Sequence, residues 1–78
     1  MMMTDDLLAT LEKLDQQLVR LIADRREMVG QIPGGLTTDQ ELEIMSLWTD
    51  EAVERELPED AMEKMGKMLN QICRKRGE

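Results

Sequence analysis

LLATLEKLDQQLVRLIADRREMVGQI, residues Leu7 to Ile32, is the stretch that decides the fold. Its apolar side chains recur at alternating steps of four and three: Leu7, Leu11, Leu14, Leu18, Leu21, then Met28 and Ile32. Such spacing stacks them on one face of an α-helix and excludes a strand, whose period is two. Leu8, Ile22 and Val29 widen the stripe. One position breaks it. Between Leu21 and Met28 the seam carries Arg25. A guanidinium on an apolar stripe is costly unless it meets a carboxylate, a backbone carbonyl or an anionic ligand. What Arg25 faces is therefore the main question posed by the chain.

The first helix is expected over residues 5–32, with Thr4 or Asp5 as N-cap and Pro33-Gly34-Gly35 as its stop. Roughly 28 residues at 1.5 Å each make a rod of about 42 Å. That is longer than a 78-residue globule is wide, so the helix is expected to pack against another chain. A second helix is expected over 38–55, opened by a Thr38/Glu41 capping box, with Leu42, Met45, Trp48 and Ala52 on its apolar line. A third, over 58–76, starts with Pro58 at its first position and buries Met62, Met65, Met68, Leu69, Ile72 and Cys73. Gly66 interrupts that stripe at a cost of about 1 kcal/mol against Ala, unless a close approach requires it. No strand pattern or repeat is present. The expectation is one all-α domain spanning 1–78.

Composition narrows the function classes. With no Phe, no Tyr, no His, one Trp and eight Met, the core is aliphatic and soft. A chain this small needs disulfides, metals or oligomerisation to support its core. A single cysteine and the absence of His leave oligomerisation, and no metal or cofactor is expected. The net charge of −7 argues against nucleic acid and anionic membranes as partners. Nothing approaches the length of an apolar membrane span, and the Met1–Asp6 start lacks the basic residues of a signal peptide, so a cytoplasmic protein is expected. Arg74, Lys75 and Arg76 form a local basic cluster that complements a helix C-terminus. Cys73 reads as a small buried residue, without a general base or resolving thiol to make it reactive.

Helix two repeats the puzzle of helix one. One turn before Met45, the line Met45, Trp48, Ala52 reaches Glu41, a carboxylate at the edge of an apolar stripe. A short turn makes the first two helices antiparallel and could carry Glu41 towards Arg25 and Arg26. Alternatively, Glu41 only closes its capping box, and Arg25 pairs with one of the seventeen acids, Asp15 among them.

At this point a family resemblance enters. The segment LEKLDQQLVRLIADRREMV, Leu11 to Val29, resembles the first helix of the AroQ-type, all-helical chorismate mutases. Asp15 stands at that family's Asp, and Arg25 at the arginine that binds a substrate carboxylate. Asp39-Gln40-Glu41 resembles the opening of the family's second helix, where the glutamate meets the substrate hydroxyl. Glu56 to Asp60 resembles the link into the third. The resemblance implies a three-helix fold with a long first helix, as an intertwined or packed homodimer. It implies rearrangement of chorismate, a small dianion, to prephenate, with Arg25 and Glu41 as catalytic residues. Substrate-binding positions would be Arg25, Arg26, Gln40 and Cys73, the last standing where the family has serine. Such catalysis needs only confinement and well-placed cations.

The chain departs from the pattern at several cations. Leu8 and Gln40 replace family arginines, Gly77 replaces a glutamine, and the late lysine of helix one has no counterpart before Pro33. Each such charge is worth 10²–10³ in rate, as an order of magnitude. Arg26, Arg20, Lys13 or the basic chain end are the available substitutes. Two other readings remain open: an inactive domain of this kind that binds another carboxylate or regulates an enzyme of aromatic metabolism by association, and a plain helical dimerisation module.

Overall fold

The computed structural model describes residues 2–74, with side chains from residue 4 onward. Three helices follow one another: α1 (Met2–Gly30), α2 (Thr38–Glu54) and α3 (Glu59–Cys73). The fold is all-α, and among the described residues no strand forms. None of the helices is long and apolar enough to cross a membrane.

α1 begins before its expected cap, so Thr4 and Asp5 lie inside the helix. It ends two residues early, because the chain tightens as it leaves. Gln31 N–H donates to Met28 O (3.1 Å) and Ile32 N–H to Val29 O (3.0 Å), both three residues back. Pro33 then offers no donor, and Gly34 and Gly35 take φ of 78° and 73°, open to glycine without strain.

The start of α2 corrects the expected capping register by one residue. Thr37, not Thr38, is the N-cap: its Oγ1 accepts from Gln40 N–H (3.1 Å), and Gln40 Oε1 accepts from Thr37 N–H (2.9 Å). The T-x-x-Q box is as good a match as T-x-x-E. Gln40 is spent on the backbone, and Glu41 is released from it. α2 stops in a Schellman arrangement: Leu57 N–H donates to Ala52 O (2.8 Å) and Glu56 N–H to Val53 O (3.2 Å). The left-handed position, φ 57°, is held by Glu56 where glycine is usual. Pro58 then serves as N-cap of α3 rather than its first helical residue.

α3 lies between the other two, packed on α2 along one side and on α1 along the other, while α1 and α2 do not meet. The α2–α3 seam closes over Gly66. A Cβ built there would stand 2.9 Å from Met45 Cε and 3.1 Å from Trp48 Cγ, so any side chain at this position would make the Met45 tip and the Trp48 ring give way. Among the described residues, Ala52, Gly66, Asn70 and Cys73 are the buried ones, and no large side chain is fully buried.

α1 is covered along a short stretch only. Ile22, Arg25, Arg26, Val29 and Ile32 are half-buried, which rotates the packed strip onto the Ile22–Val29 flank of the seam. Met28, expected on the seam, is 66% exposed. Every side chain from residue 4 to 21 is exposed, including Leu7, Leu11, Leu14, Leu18 and Leu21. The molecule measures 51 × 27 × 16 Å, its long dimension exceeding the roughly 44 Å expected of α1 alone at 1.5 Å per residue.

Candidate functional site

Two arginines meet the C-terminal end of α3 from opposite sides. From α1, Arg25 Nη2 donates to Asn70 Oδ1 (2.7 Å), while Nη1 donates to Cys73 Sγ (2.9 Å) and Leu69 O (3.3 Å). The helical steps 69, 70 and 73 place all three acceptors on the α1-facing side of α3. No carboxylate is paired with Arg25 among the described residues. Asp15, ten residues earlier on the same helix, is about 15 Å away along the axis. The question raised by the seam has its answer: Arg25 faces neutral dipoles, which solvate the charge without cancelling it.

On the α2 side, Arg74 leaves the helix in an extended conformation. Its Nε donates to Glu41 Oε2 (3.3 Å) and its Nη2 to Glu41 Oε1 (3.0 Å), a side-on two-pronged pair. The Glu41 side chain is 19% accessible and Arg74 far more so. The hydrogen bond and then the charge of Glu41 raise the Arg74 pKa above its ordinary value, against a smaller lowering by burial. A raised basic pKa means that the contribution to folding is complete below the ordinary Arg range. On the alkaline side it is lost as pH climbs past the raised value, so moderate alkali leaves it intact.

Arg25 and Glu41 thus do not meet each other, because α3 stands between α1 and α2. Both touch its last turn instead. Arg26 is half-buried and its side chain hydrogen-bonds none of the described residues, Gln40 is exposed in the capping box, and Cys73 is 3% exposed and makes no disulfide. Lys75, Arg76 and Gly77 lie outside the described residues. Asn70 escaped the sequence reading, although a buried amide on the apolar stripe of α3 repeats the anomaly of Arg25 and could have been found by the same test. Arg74 was read as part of the basic chain end, but its pairing with Glu41 depends on how the helices cross.

A hollow of about 310 Å³ opens beside this cluster. The apolar side chains of Val29, Ile32, Pro33 and Leu36 form one wall, from the end of α1 and the turn. Glu41, Asn70, Cys73 and Arg74 form the other. A second hollow of about 260 Å³ shares Glu41, Asn70 and Arg74 with the first. Arg25 lines neither hollow but holds Asn70 and Cys73, which line the first. Among the described residues, no group of His, Cys, Asp and Glu side chains is placed to hold a metal ion.

The chain matches no protein-family model, no curated protein and no solved structure.

Proposed function

We propose that this protein is chorismate mutase-like, rearranging chorismate to prephenate with weak activity in a homodimer of the AroQ type. The observation that carries the reading is Arg25: a half-buried guanidinium held by three α3 acceptors and paired with no carboxylate among the described residues. Such a group is an anion site in waiting. The rearrangement needs no proton transfer, so confinement and positive charge suffice.

Two features bear on how strong the activity is. Glu41 is engaged by Arg74, so it is not free to meet a substrate hydroxyl unless that pair loosens. Arg25 and Arg74 against Glu41 leave a surplus of one positive charge, whereas chorismate brings two negative ones. The second carboxylate then falls to Arg26, or to Arg20 or Lys13 of a second chain. The exposed leucine stripe of α1 supports that second chain, since burying one leucine is worth roughly 1.5–3 kcal/mol.

Turnover of chorismate by the purified protein, run beside Arg25→Ala, tests the reading. Prephenate formed by the parent and lost in the variant is the expected result; no prephenate at high enzyme concentration sinks it. The same α1 stripe favours a second reading, a catalytically inactive domain that docks on an enzyme of aromatic metabolism or simply dimerises. That protein would convert no chorismate, yet would change a partner's activity or sediment as a dimer.

A further inference from the structure

We propose that the hollow between the α1–α2 turn and the end of α3 binds a small monocarboxylate with an apolar body, through Arg74 and the Asn70 side-chain amide. The inference goes beyond the mutase reading and stands whether or not chorismate is rearranged.

Asn70 is 4% exposed and lines the hollow. Its oxygen is identified by Arg25, since a guanidinium can only donate, so the amide nitrogen is the other branch. That nitrogen makes no hydrogen bond to a described residue and keeps some contact with solvent, since no fully buried side-chain nitrogen or oxygen is left unpartnered among the described residues. Arg25 therefore acts as a positioning residue: it holds the oxygen and leaves the NH2 group for whatever fills the hollow.

Arg74 is held in a complementary way. Glu41 occupies its Nε–Nη2 edge, and Nη1 makes no hydrogen bond to a described residue. The end-on Nη1–Nη2 edge of the fork remains for a second carboxylate, and a guanidinium has five N–H groups to share. Glu41 fixes the fork at the rim of the hollow without consuming it.

Charge sets the valence of the ligand. Two cations and one carboxylate, Arg25, Arg74 and Glu41, sum to one positive charge, which one carboxylate neutralises. The opposite wall of Val29, Ile32, Pro33 and Leu36 suits an apolar ring or branched chain. A volume near 310 Å³ is at the lower limit for small-molecule sites.

The test is a titration of isotope-labelled protein with benzoate, followed by NMR at the Asn70 side-chain NH2 and the Arg74 Nε–H. Benzamide, its neutral near-isostere, is the control. Saturable shifts at both groups are expected, with benzamide weaker by about tenfold or more, because one charge-assisted hydrogen bond is worth that much. Arg74→Gln should lower benzoate affinity by about tenfold for the same reason. Asn70→Asp keeps an oxygen for Arg25 and so preserves the fold. It removes the amide donor and the spare charge together, and should abolish binding while leaving the melting temperature at or above that of the parent. Equal binding of benzoate and benzamide, undiminished binding by either variant, or no saturable shift at all would overturn the proposal.

Discussion

The two ends of α1 share one sequence pattern and have opposite fates. From Ile22 to Val29 the helix lays a half-buried strip on α3; from residue 4 to 21 the same alternation of apolar residues covers nothing. Leu14 and Leu18, 53% and 55% exposed, are no less apolar than Ile22 and Val29. The difference is that α3 meets α1 through its last turns, at Leu69, Asn70 and Cys73, and covers no α1 side chain before Ile22. A periodic stripe guarantees a helix with an apolar face, but the cover for that face has to come from elsewhere. The covered end, moreover, is where the stripe admits Arg25, so the packed end is polar at its centre and the bare end is purely aliphatic.

Substitutions can separate the two ends, and the largest effect is expected at the bare one. Leu14→Glu removes an apolar contact from each chain of an α1-mediated dimer and adds a charge, about 4 kcal/mol in all, or a dimer weakened roughly 10³-fold. Analytical ultracentrifugation reads this directly. If Leu14→Glu leaves the sedimentation profile unchanged, the bare stripe is not a dimer surface, since an exposed substitution in a lone chain moves stability by only about 0.5 kcal/mol.

At the covered end, Gly66→Leu forces four carbons into the space held by Met45 and Trp48. Overpacking of this kind costs about 1–3 kcal/mol or more, offset only in part by better helix propensity. Urea denaturation should show a lowered midpoint, and a midpoint equal to the parent's would mean that α2 and α3 are not in contact at Gly66.

Arg25→Leu probes the polar centre. In a simple helical seam, an apolar replacement of an arginine is neutral or favourable. Here it orphans the buried Asn70 oxygen, a loss of about 1–3 kcal/mol. The pair Arg25→Leu with Asn70→Leu should regain much of that, because removing both partners costs far less than removing one. A double-mutant cycle that shows additivity would contradict the hydrogen bond at 2.7 Å.

The smallest effect lies away from both ends. Glu56 sits at φ 57°, a left-handed conformation costing an L residue about 1–2 kcal/mol. Part of the gain from Glu56→Gly is lost to the entropy of glycine in the unfolded chain, so a net stabilisation of about 0.5–1 kcal/mol is expected in thermal melts. A destabilised variant would argue against the Schellman geometry.

Much of this architecture was legible beforehand. The three helices, the stop at Pro33-Gly34-Gly35, the overlong α1, the anomaly of Arg25 and the oddity of Gly66 within the α3 stripe were all readable from spacing and residue type. The capping register was not, because Thr37 and Thr38 are adjacent, and Gln40 and Glu41 serve equally well three residues on. That slip of one residue decides whether Glu41 caps a helix or binds an arginine. The route from Arg25 to Glu41 was also misjudged: a short turn suggested that α1 and α2 meet, whereas α3 inserts between them.

By itself, then, the sequence determined what is local: helical periods, breakers, and the fact that an arginine and a glutamate stand where apolar residues should. Those depend on neighbours within a turn or two along the chain. Only the tertiary structure decided the partners, giving Arg25 to Asn70, Cys73 and the Leu69 carbonyl, and Glu41 to Arg74. The reason is physical. A hydrogen bond requires its atoms within about 3 Å, a precision set by how helices cross and not by the spacing within any one of them.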